Sequence, residues 1–351
     1  MYHRRQVLLA SGVVAGTVVI GGKSLRATCG AVPQSGKSKM NCYVRVASVS
    51  FTPPFHDHAK DGVKLASLRE MTAQVTKEKP DFICYPEICT CVGGGMEKGI
   101  RSAPELEPYV AELAKIAREF DSAIVAPFLE RSGQHVFNSV PIVNRKGELV
   151  LVYRKNYPTT GELEAGISPG NEIPVADCDG VRVGAAVCFD ANFDHVAAEL
   201  ERQRARLVFW PSMYWGGQFL QHWALRYGFS IAVAYGAESA IIDMNGQYLV
   251  KQGGDTLQVR QKRLPPWASA EIHVNRDVFH LDFNQDKFAA ILAKYDSQVT
   301  IDVHQPEGIF LLASNQPELT VEAIAEEFKL ETMRDYIARS VQMRSDKLKQ
   351  E

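Results

Sequence analysis

The feature that most constrains the fold is a repeated alternation of short β-branched strands with amphipathic helices. Val44–Phe51 predicts a strand, Asp61–Lys79 carries apolar residues at helical spacing, and residues 82–85 predict the next strand. Later strand pairs are joined by the tight turns Arg145-Lys-Gly147 and Asn245-Gly246. Strands that alternate with helices and are interrupted by hairpins predict a layered α/β domain with a mixed sheet.

Composition narrows the class of protein without naming its function. The chain has 351 residues, 46% of them hydrophobic, which is ordinary for a globular protein large enough to bury a sizeable core. Its formal net charge of −2 gives no overall basic field to attract nucleic acid. Seven cysteines are too few for a disulfide scaffold.

The N-terminal segment has the pattern of an export signal. Arg4-Arg5 precedes the apolar run Val7–Gly22, which is shorter than the about 20 residues that a membrane span needs. The arginine pair is similar to that of a twin-arginine leader. We therefore predict an export signal over residues 1–31 and a linker over 32–41, giving an exported protein. A start at Met40 would instead leave a cytoplasmic one.

The rest of the chain divides into a long α/β segment and a shorter tail. Strand and helix patterns continue to about residue 274, which predicts one domain over residues 42–275. Residues 276–351 form a C-terminal extension with two predicted helices. One begins after Thr320, which is a suitable N-cap, and the other covers Glu331–Lys349. The tail is too short to predict an independent domain.

Three chemically active side chains follow predicted strands. Glu87 and Lys155 each end an apolar strand, and open α/β sheets place their ligands at such strand ends. Cys188 lies at a strand-to-helix turn, where free backbone N–H groups can hold an oxyanion and a helix N-terminus favours a thiolate. Taken singly, each has a plainer interpretation: a turn acid, a solvated lysine and a small buried hydrophobe.

Taken in order, the motifs resemble the carbon–nitrogen hydrolase (nitrilase) superfamily over about residues 42–275. The motifs are Tyr85-Pro-Glu87, Tyr153-Arg-Lys155, Gly161–Gly170, Val187-Cys-Phe-Asp190 and Phe209-Trp-Pro-Ser212. The chain departs from the family at Asp194-His195, where members usually carry Pro-Glu, which bears on substrate class. The resemblance implies a four-layer αββα sandwich with a helical C-terminal tail. It also implies a homodimer or higher homo-oligomer, with the tail wrapping a partner.

The same resemblance implies roles for individual residues. Cys188 would be the nucleophile, Glu87 the general base, and Lys155 the oxyanion stabiliser together with the backbone N–H of Phe189. Glu162 would be a second functional glutamate, with Glu164 as the alternative. Tyr214 or its neighbour Trp215 is predicted to line the substrate site. No metal or organic cofactor is expected.

The implied activity is hydrolysis of a non-peptide C–N bond in a small amide or N-carbamoyl compound, releasing ammonia or an amine. Nitriles are disfavoured, because members that act on them tend to carry Trp-Glu where this chain has Phe189-Asp190. Acyl transfer by the same three residues and a non-catalytic binding relative are the alternatives. Cys84, Cys89 and Cys91 lack the spacing of a zinc site, and a disulfide among them would require export.

Overall fold

The structure is a computed structural model that describes residues 42–50, 61–90, 96–253 and 264–350, with the side chains of 61–64 left out of the description. The predicted export signal at 1–31 and the linker at 32–41 lie outside the described residues, so both stay predictions. No helix within the described ranges is both long and apolar enough to cross a lipid bilayer.

The described strands, in chain order, are β1 (Tyr43–Val49), β2 (Phe82–Cys84), β3 (Ala123–Val125), β4 (Phe128–Ser132), β5 (His135–Val143), β6 (Leu149–Arg154), β7 (Val175–Cys178), β8 (Val181–Ala185), β9 (Leu207–Ser212), β10 (Ser230–Tyr235), β11 (Glu238–Ile242), β12 (Tyr248–Gln252), β13 (Trp267–His273), β14 (Arg276–His280), β15 (Val299–His304) and β16 (Ile309–Ser314). The described α-helices are α1 (Asp61–Val75), α2 (Met96–Arg101), α3 (Leu106–Phe120), α4 (Thr160–Glu164), α5 (Asp194–Arg202), α6 (Gln218–Tyr227), α7 (Phe288–Tyr295), α8 (Val321–Phe328) and α9 (Met333–Leu348).

Two mixed sheets carry most of these strands. The first sheet runs β13-β1-β2-β3-β5-β4, with β6 paired to β5, and its strands β1, β2 and β3 are parallel. The second sheet runs β12-β11-β10-β9-β8-β7, and β8, β9 and β10 are parallel. Because parallel neighbours share their direction, the residues that follow β8, β9 and β10 emerge at one edge of the second sheet.

The two sheets pack face to face and helices cover their outer faces. Strand β2 shows why: Phe82 and Cys84 point into the core between the sheets, whereas Ile83 points toward α1 and α3. Across the inter-sheet core the rings of Phe82 and Phe209 lie 5.7 Å apart. Helices α5 and α6 cover the outer face of the second sheet. The four layers are therefore αββα, which confirms the predicted fold.

The C-terminal extension contains a third sheet that the sequence did not reveal. Strands β14, β16 and β15 form an antiparallel sheet in that order. Its core is built on Phe279 and Phe310, whose rings stack at 5.3 Å, and α7 and α8 pack against it. The description of residues 276–351 as purely helical is thus corrected for its first part. Strand Arg276–His280 shows no apolar alternation, because two charged residues stand side by side at its start, whereas Val299–His304 does alternate apolar and polar residues and carries a strand signal that was not used.

The helical end of the extension is confirmed. Helix α8 begins after Thr320, whose hydroxyl accepts the N–H of Ala323 at 3.1 Å. Helix α9 begins in the same way after Thr332, which accepts the N–H of Asp335 at 3.2 Å.

A buried charge network joins this extension to the second sheet. Asp277 of β14 accepts hydrogen bonds from Arg206 at 3.1 Å and from Arg334 at 2.7 Å. Arg206 also pairs with Glu322 at 2.5 Å. Although burial alone would raise the pKa of Asp277, the two arginines hold it below its usual value.

Candidate active site

The first sheet brings a buried lysine, an amide and two carboxylates together. Lys155 directly follows β6, Glu87 lies three residues beyond β2, and Asn138 lies within β5. The Lys155 ammonium donates to Glu87 Oε1 at 2.9 Å and to Glu162 Oε2 at 2.7 Å. The amide nitrogen of Asn138 donates to Glu87 Oε1 at 2.7 Å and to Glu162 Oε1 at 3.0 Å. The cluster is buried, with only 1% of Lys155 and 3% of Glu87 exposed to solvent.

Glu162 reaches Lys155 because of the way α4 begins. Thr159 is the N-cap, and its hydroxyl accepts the N–H of Glu162 at 3.3 Å. In return, Glu162 Oε2 accepts the N–H of Thr159 at 2.7 Å, which completes a capping box. Glu164 lies two residues further along and is exposed to solvent. Of the two glutamates that the sequence left open, the structure places Glu162 beside the lysine.

The electrostatics of the cluster favour charged partners. Burial would lower the pKa of Lys155, but the carboxylates of Glu87 and Glu162 outweigh burial and raise it. Burial would likewise raise the pKa of Glu162, but Lys155 and the N–H of Thr159 hold it low. Lys155 therefore stays protonated at neutral pH, and an ammonium held on two sides can stabilise a developing negative charge.

Cys188 comes from the second sheet, three residues after β8. It starts a short 3₁₀ turn, Cys188–Asn192, with a backbone φ of 45°. A left-handed conformation in a residue with a β-carbon costs of order 1–3 kcal/mol and persists only where neighbouring contacts enforce it. Sharp strand-to-helix turns of this kind hold a nucleophile clear of its strand.

Asp190 supplies those enforcing contacts, and it is a site residue to which the sequence assigned no role. Its Oδ2 accepts the N–H of Val187 at 2.8 Å and the Tyr153 hydroxyl at 2.7 Å. Its Oδ1 accepts the N–H of Tyr157 at 2.9 Å. Because Tyr153 and Tyr157 lie on either side of Lys155 in the chain, one carboxylate connects the cysteine turn to the lysine segment. Burial raises the pKa of Asp190 to about 6 despite these hydrogen bonds.

The environment of the Cys188 thiol keeps it protonated at rest. Burial and the nearby Glu87 carboxylate raise the pKa of Cys188 to about 11, although Lys155, Ser212 and the N–H of Met213 act to lower it. A thiol with such a pKa needs a base to become a nucleophile. Glu87 Oε2 is buried and has no hydrogen-bond partner among the described residues, so it is free to accept a proton.

The remaining predicted residues lie at the solvent side of this arrangement. Phe189 follows the cysteine and is 38% exposed, and Tyr214 is 66% exposed. The ring of Tyr214 packs edge-on against Trp215 at 5.7 Å. Phe189 is the neighbour of Cys188 in the chain, and Tyr214 is the neighbour of Met213, whose N–H acts on the Cys188 thiol. Neither side chain is part of the hydrogen-bonded cluster around Lys155.

Asn138 is the second residue that sequence reasoning missed. It is an asparagine in the middle of β5 and no adjacent motif marks it. The signal that could have found it is its place in a mostly apolar strand, where a buried amide requires partners. Elsewhere, Cys84 and Cys89 are buried, and Cys91 lies outside the described residues, so a disulfide among the three stays untested.

Comparison with known families agrees with this architecture. The family model described as carbon–nitrogen hydrolase matches residues 45–266, which is more than half of the chain.

Two curated relatives match parts of the chain. The nitrilase and fragile histidine triad fusion protein NitFhit of Drosophila melanogaster is 30% identical over 178 residues, which is 46% of this chain and 38% of that protein. The N-carbamoylputrescine amidase of Arabidopsis thaliana is 27% identical over 109 residues, which is 30% of this chain and 36% of that protein. The chain therefore spans well under half the length of either relative.

Among solved structures, an amidase from Nesterenkonia sp. has the same fold. It aligns with a TM-score of 0.57 and 19% identity, covering 73% of this chain and 97% of the amidase. In a mutant of the amidase from Nesterenkonia sp. AN1, which is also similar in structure, the acetamide moiety of fluoroacetamide adds covalently at the active-site cysteine.

Proposed function

Because the chain belongs to the carbon–nitrogen hydrolase family, we propose that it hydrolyses a small amide or N-carbamoyl compound through a thioester on Cys188. The observation that carries the proposal is the state of Glu87. One of its carboxylate oxygens is held by Lys155 and Asn138, and the other is buried without a partner among the described residues. A carboxylate fixed on one side and free on the other is suited to proton transfer.

The first half of the reaction forms the thioester. Glu87 takes the proton of the Cys188 thiol, and the sulfur attacks the scissile carbonyl carbon. Lys155 and the backbone N–H of Phe189 stabilise the negative charge on the carbonyl oxygen. The C–N bond then breaks, and Glu87 passes its proton to the leaving nitrogen, which departs as ammonia or an amine.

The second half releases the acid. Glu87 accepts a proton from water as the water oxygen attacks the thioester carbon. The C–S bond breaks, the proton returns to sulfur, and the acid leaves. Glu162 touches Lys155 and Asn138, so we assign it the task of holding the lysine in place. Tyr214 is assigned a contact with the substrate.

The relatives support this assignment by their own activities. The names of an N-carbamoylputrescine amidase and of an amidase cover the two substrate classes proposed here. The fluoroacetamide adduct of the Nesterenkonia amidase keeps its amide group and is therefore not a thioester, but it shows that the active-site cysteine of that amidase reacts as a nucleophile. An aliphatic nitrilase is also similar in sequence, so nitrile hydrolysis is kept as the second candidate.

The test is ammonia and acid release from a panel of primary amides, N-carbamoyl compounds and nitriles. Cys188→Ala and Glu87→Gln should each abolish release, and Glu164→Gln should stay within about twofold of wild type. Glu164 is the matched control because it is an exposed glutamate two residues from Glu162. If the acyl group is transferred to added hydroxylamine faster than it is hydrolysed by water, the activity would be acyl transfer. No release across the panel, with Cys188 no more reactive toward a thiol reagent than the other cysteines, would favour a binding protein.

A further inference from the structure

We propose that the segment Met213–Trp215 binds the acyl group of the substrate, and that this group is large and apolar. The inference rests on the proposed hydrolysis and narrows its substrate class. Its starting point is a group of neighbouring apolar side chains left open to solvent: Met213, Tyr214 and Trp215 are 39%, 66% and 51% exposed. A cluster of exposed apolar groups on a globular protein usually marks a binding surface.

The segment lies close to Cys188, so the molecule that would contact it is the substrate. Strands β8, β9 and β10 are adjacent and parallel, so the residues that follow them share one edge of the second sheet. Cys188 follows β8, Met213 directly follows β9, and Tyr235 ends β10. Burial raises the pKa of the Cys188 thiol, and hydrogen bonding by Ser212 and by the N–H of Met213 acts in the opposite direction, so this segment begins beside the nucleophile itself. The acyl group on the carbonyl carbon that Cys188 attacks can therefore contact these side chains.

The segment is held in a defined conformation. The Ser212 hydroxyl accepts the N–H of Tyr214 at 2.9 Å and donates to its carbonyl at 2.7 Å. The Trp215 ring packs edge-on against Tyr235 at 4.9 Å. At Gly216 a β-carbon would lie 2.3 Å from the buried Leu220 side chain, which would have to move to make room for it. Aromatic side chains on a fixed backbone bind with little loss of conformational entropy.

The chemistry of the segment selects the acyl group. Met213, Tyr214 and Trp215 carry no charge, and they gain stabilisation when an apolar group removes water from them. A straight-chain or aryl-substituted acyl group provides that surface, whereas the carbamoyl group of an N-carbamoyl compound does not. We therefore infer that amides such as hexanamide and phenylacetamide are better substrates than acetamide.

The experiment compares kcat/KM for primary amides from acetamide to hexanamide and for phenylacetamide. All of them release ammonia, so any trend reports the acyl side alone. We expect a rise of about threefold per added methylene for the wild type. Trp215→Ala should flatten this series and lower kcat/KM for phenylacetamide about tenfold more than kcat/KM for acetamide. Trp215→Phe should restore most of the trend. Phe283→Ala is the matched control, because Phe283 is an aromatic residue of the C-terminal extension that is also 66% exposed.

Three results would overturn the inference. Hydrolysis of acetamide and hexanamide at equal rates, or an equal trend in wild type and Trp215→Ala, would do so while leaving the proposed hydrolysis intact. A change of oligomeric state in Trp215→Ala on sedimentation, with unchanged selectivity, would show that a second copy of the chain covers the segment.

A binding measurement separates failure of this inference from failure of the proposed hydrolysis. Calorimetric titration of the Cys188→Ala variant with hexanamide and acetamide needs no turnover. Tighter binding of hexanamide that is lost on adding Trp215→Ala supports the inference even if no amide is hydrolysed. Equal binding of the two amides overturns it.

Discussion

Replacing Asp190 by asparagine should impair activity far more than stability. Asp190 is fully buried, and its two oxygens accept three hydrogen bonds. The asparagine carbonyl can still accept from Val187 and Tyr153, but its NH₂ group would face the N–H of Tyr157. One hydrogen bond is lost and a buried donor is left unsatisfied, which costs about 1–3 kcal/mol.

A second effect offsets this cost. Burial raises the pKa of Asp190 to about 6, against about 3.9 in an unfolded chain. At neutral pH the folded protein therefore bears a charging cost of about 3 kcal/mol, which a neutral asparagine does not. The two effects nearly cancel, and we expect the melting temperature of Asp190→Asn to stay within about 5 °C of wild type.

The loss of activity is not offset in this way. The hydrogen bond that is lost, from the N–H of Tyr157 to Asp190, joins the cysteine turn to the lysine segment. A misplacement of reacting groups by about 1 Å can cost about a hundredfold in rate, so we expect kcat to fall about 30- to 100-fold. The assay is amide hydrolysis at pH 7.5, beside thermal unfolding of the same samples. Tyr153→Phe removes one hydrogen bond to the same carboxylate and should lose less.

The pH dependence provides an independent check. Below pH 6 the wild-type Asp190 is itself mostly neutral, so the difference between wild type and Asp190→Asn should shrink. Unchanged kcat in Asp190→Asn, or a fall in kcat fully matched by unfolding, would refute the idea that this carboxylate positions the two catalytic segments.

Three further predictions follow from the charges described above. Modification of Cys188 by methyl methanethiosulfonate should speed up about tenfold per pH unit from pH 7 to 10, since its pKa is about 11, and should be slower in Lys155→Met; a plateau below pH 9 would contradict this. Glu162→Gln should lower kcat for the best amide at least about tenfold, because Lys155 loses a charged partner at 2.7 Å. Equal activity of Glu162→Gln and wild type would rule out a positioning role for Glu162. Asp277→Asn should destabilise the fold by about 3 kcal/mol in urea unfolding at pH 7 by leaving two arginines short of a partner. The pKa of Asp277 is lowered, so its contribution is present above about pH 4 and is lost as pH falls through the folded value; a pH-independent difference would be the contrary result.

The sequence predicted the catalytic candidates better than it predicted their supports. Glu87, Lys155 and Cys188 each follow an apolar strand, and in a layered α/β domain strand ends converge. Asn138 and Asp190 gave no comparable signal. Asn138 is placed by β5 next to partners that lie far away in the chain, and Asp190 acts through Tyr153 and backbone N–H groups that only the folded chain brings near.

The sequence pattern also did not predict the C-terminal sheet, for reasons that can be seen strand by strand. The strand β16 is the apolar run Ile309–Ser314 and is fully buried, so its sequence resembles either a strand or a buried helix. Its neighbour β14 begins with two charged residues, of which Asp277 pairs with Arg206, whereas β15 does alternate apolar and polar residues but is short and largely exposed. The apolar pattern therefore gives no strand signal for β14, whose charged residues form ion pairs with other parts of the chain.

The split origin of the site has a consequence for how the protein loses function. Glu87, Asn138 and Lys155 belong to the first sheet, and Cys188 belongs to the second, so no single sheet contains the site. The two halves meet only while the core around Phe82 and Phe209 stays closed. The distance between the Cys188 thiol and the Glu87 carboxylate therefore depends on how the two sheets are packed against each other. On gradual denaturation, catalysis should vanish while each sheet still retains its strands.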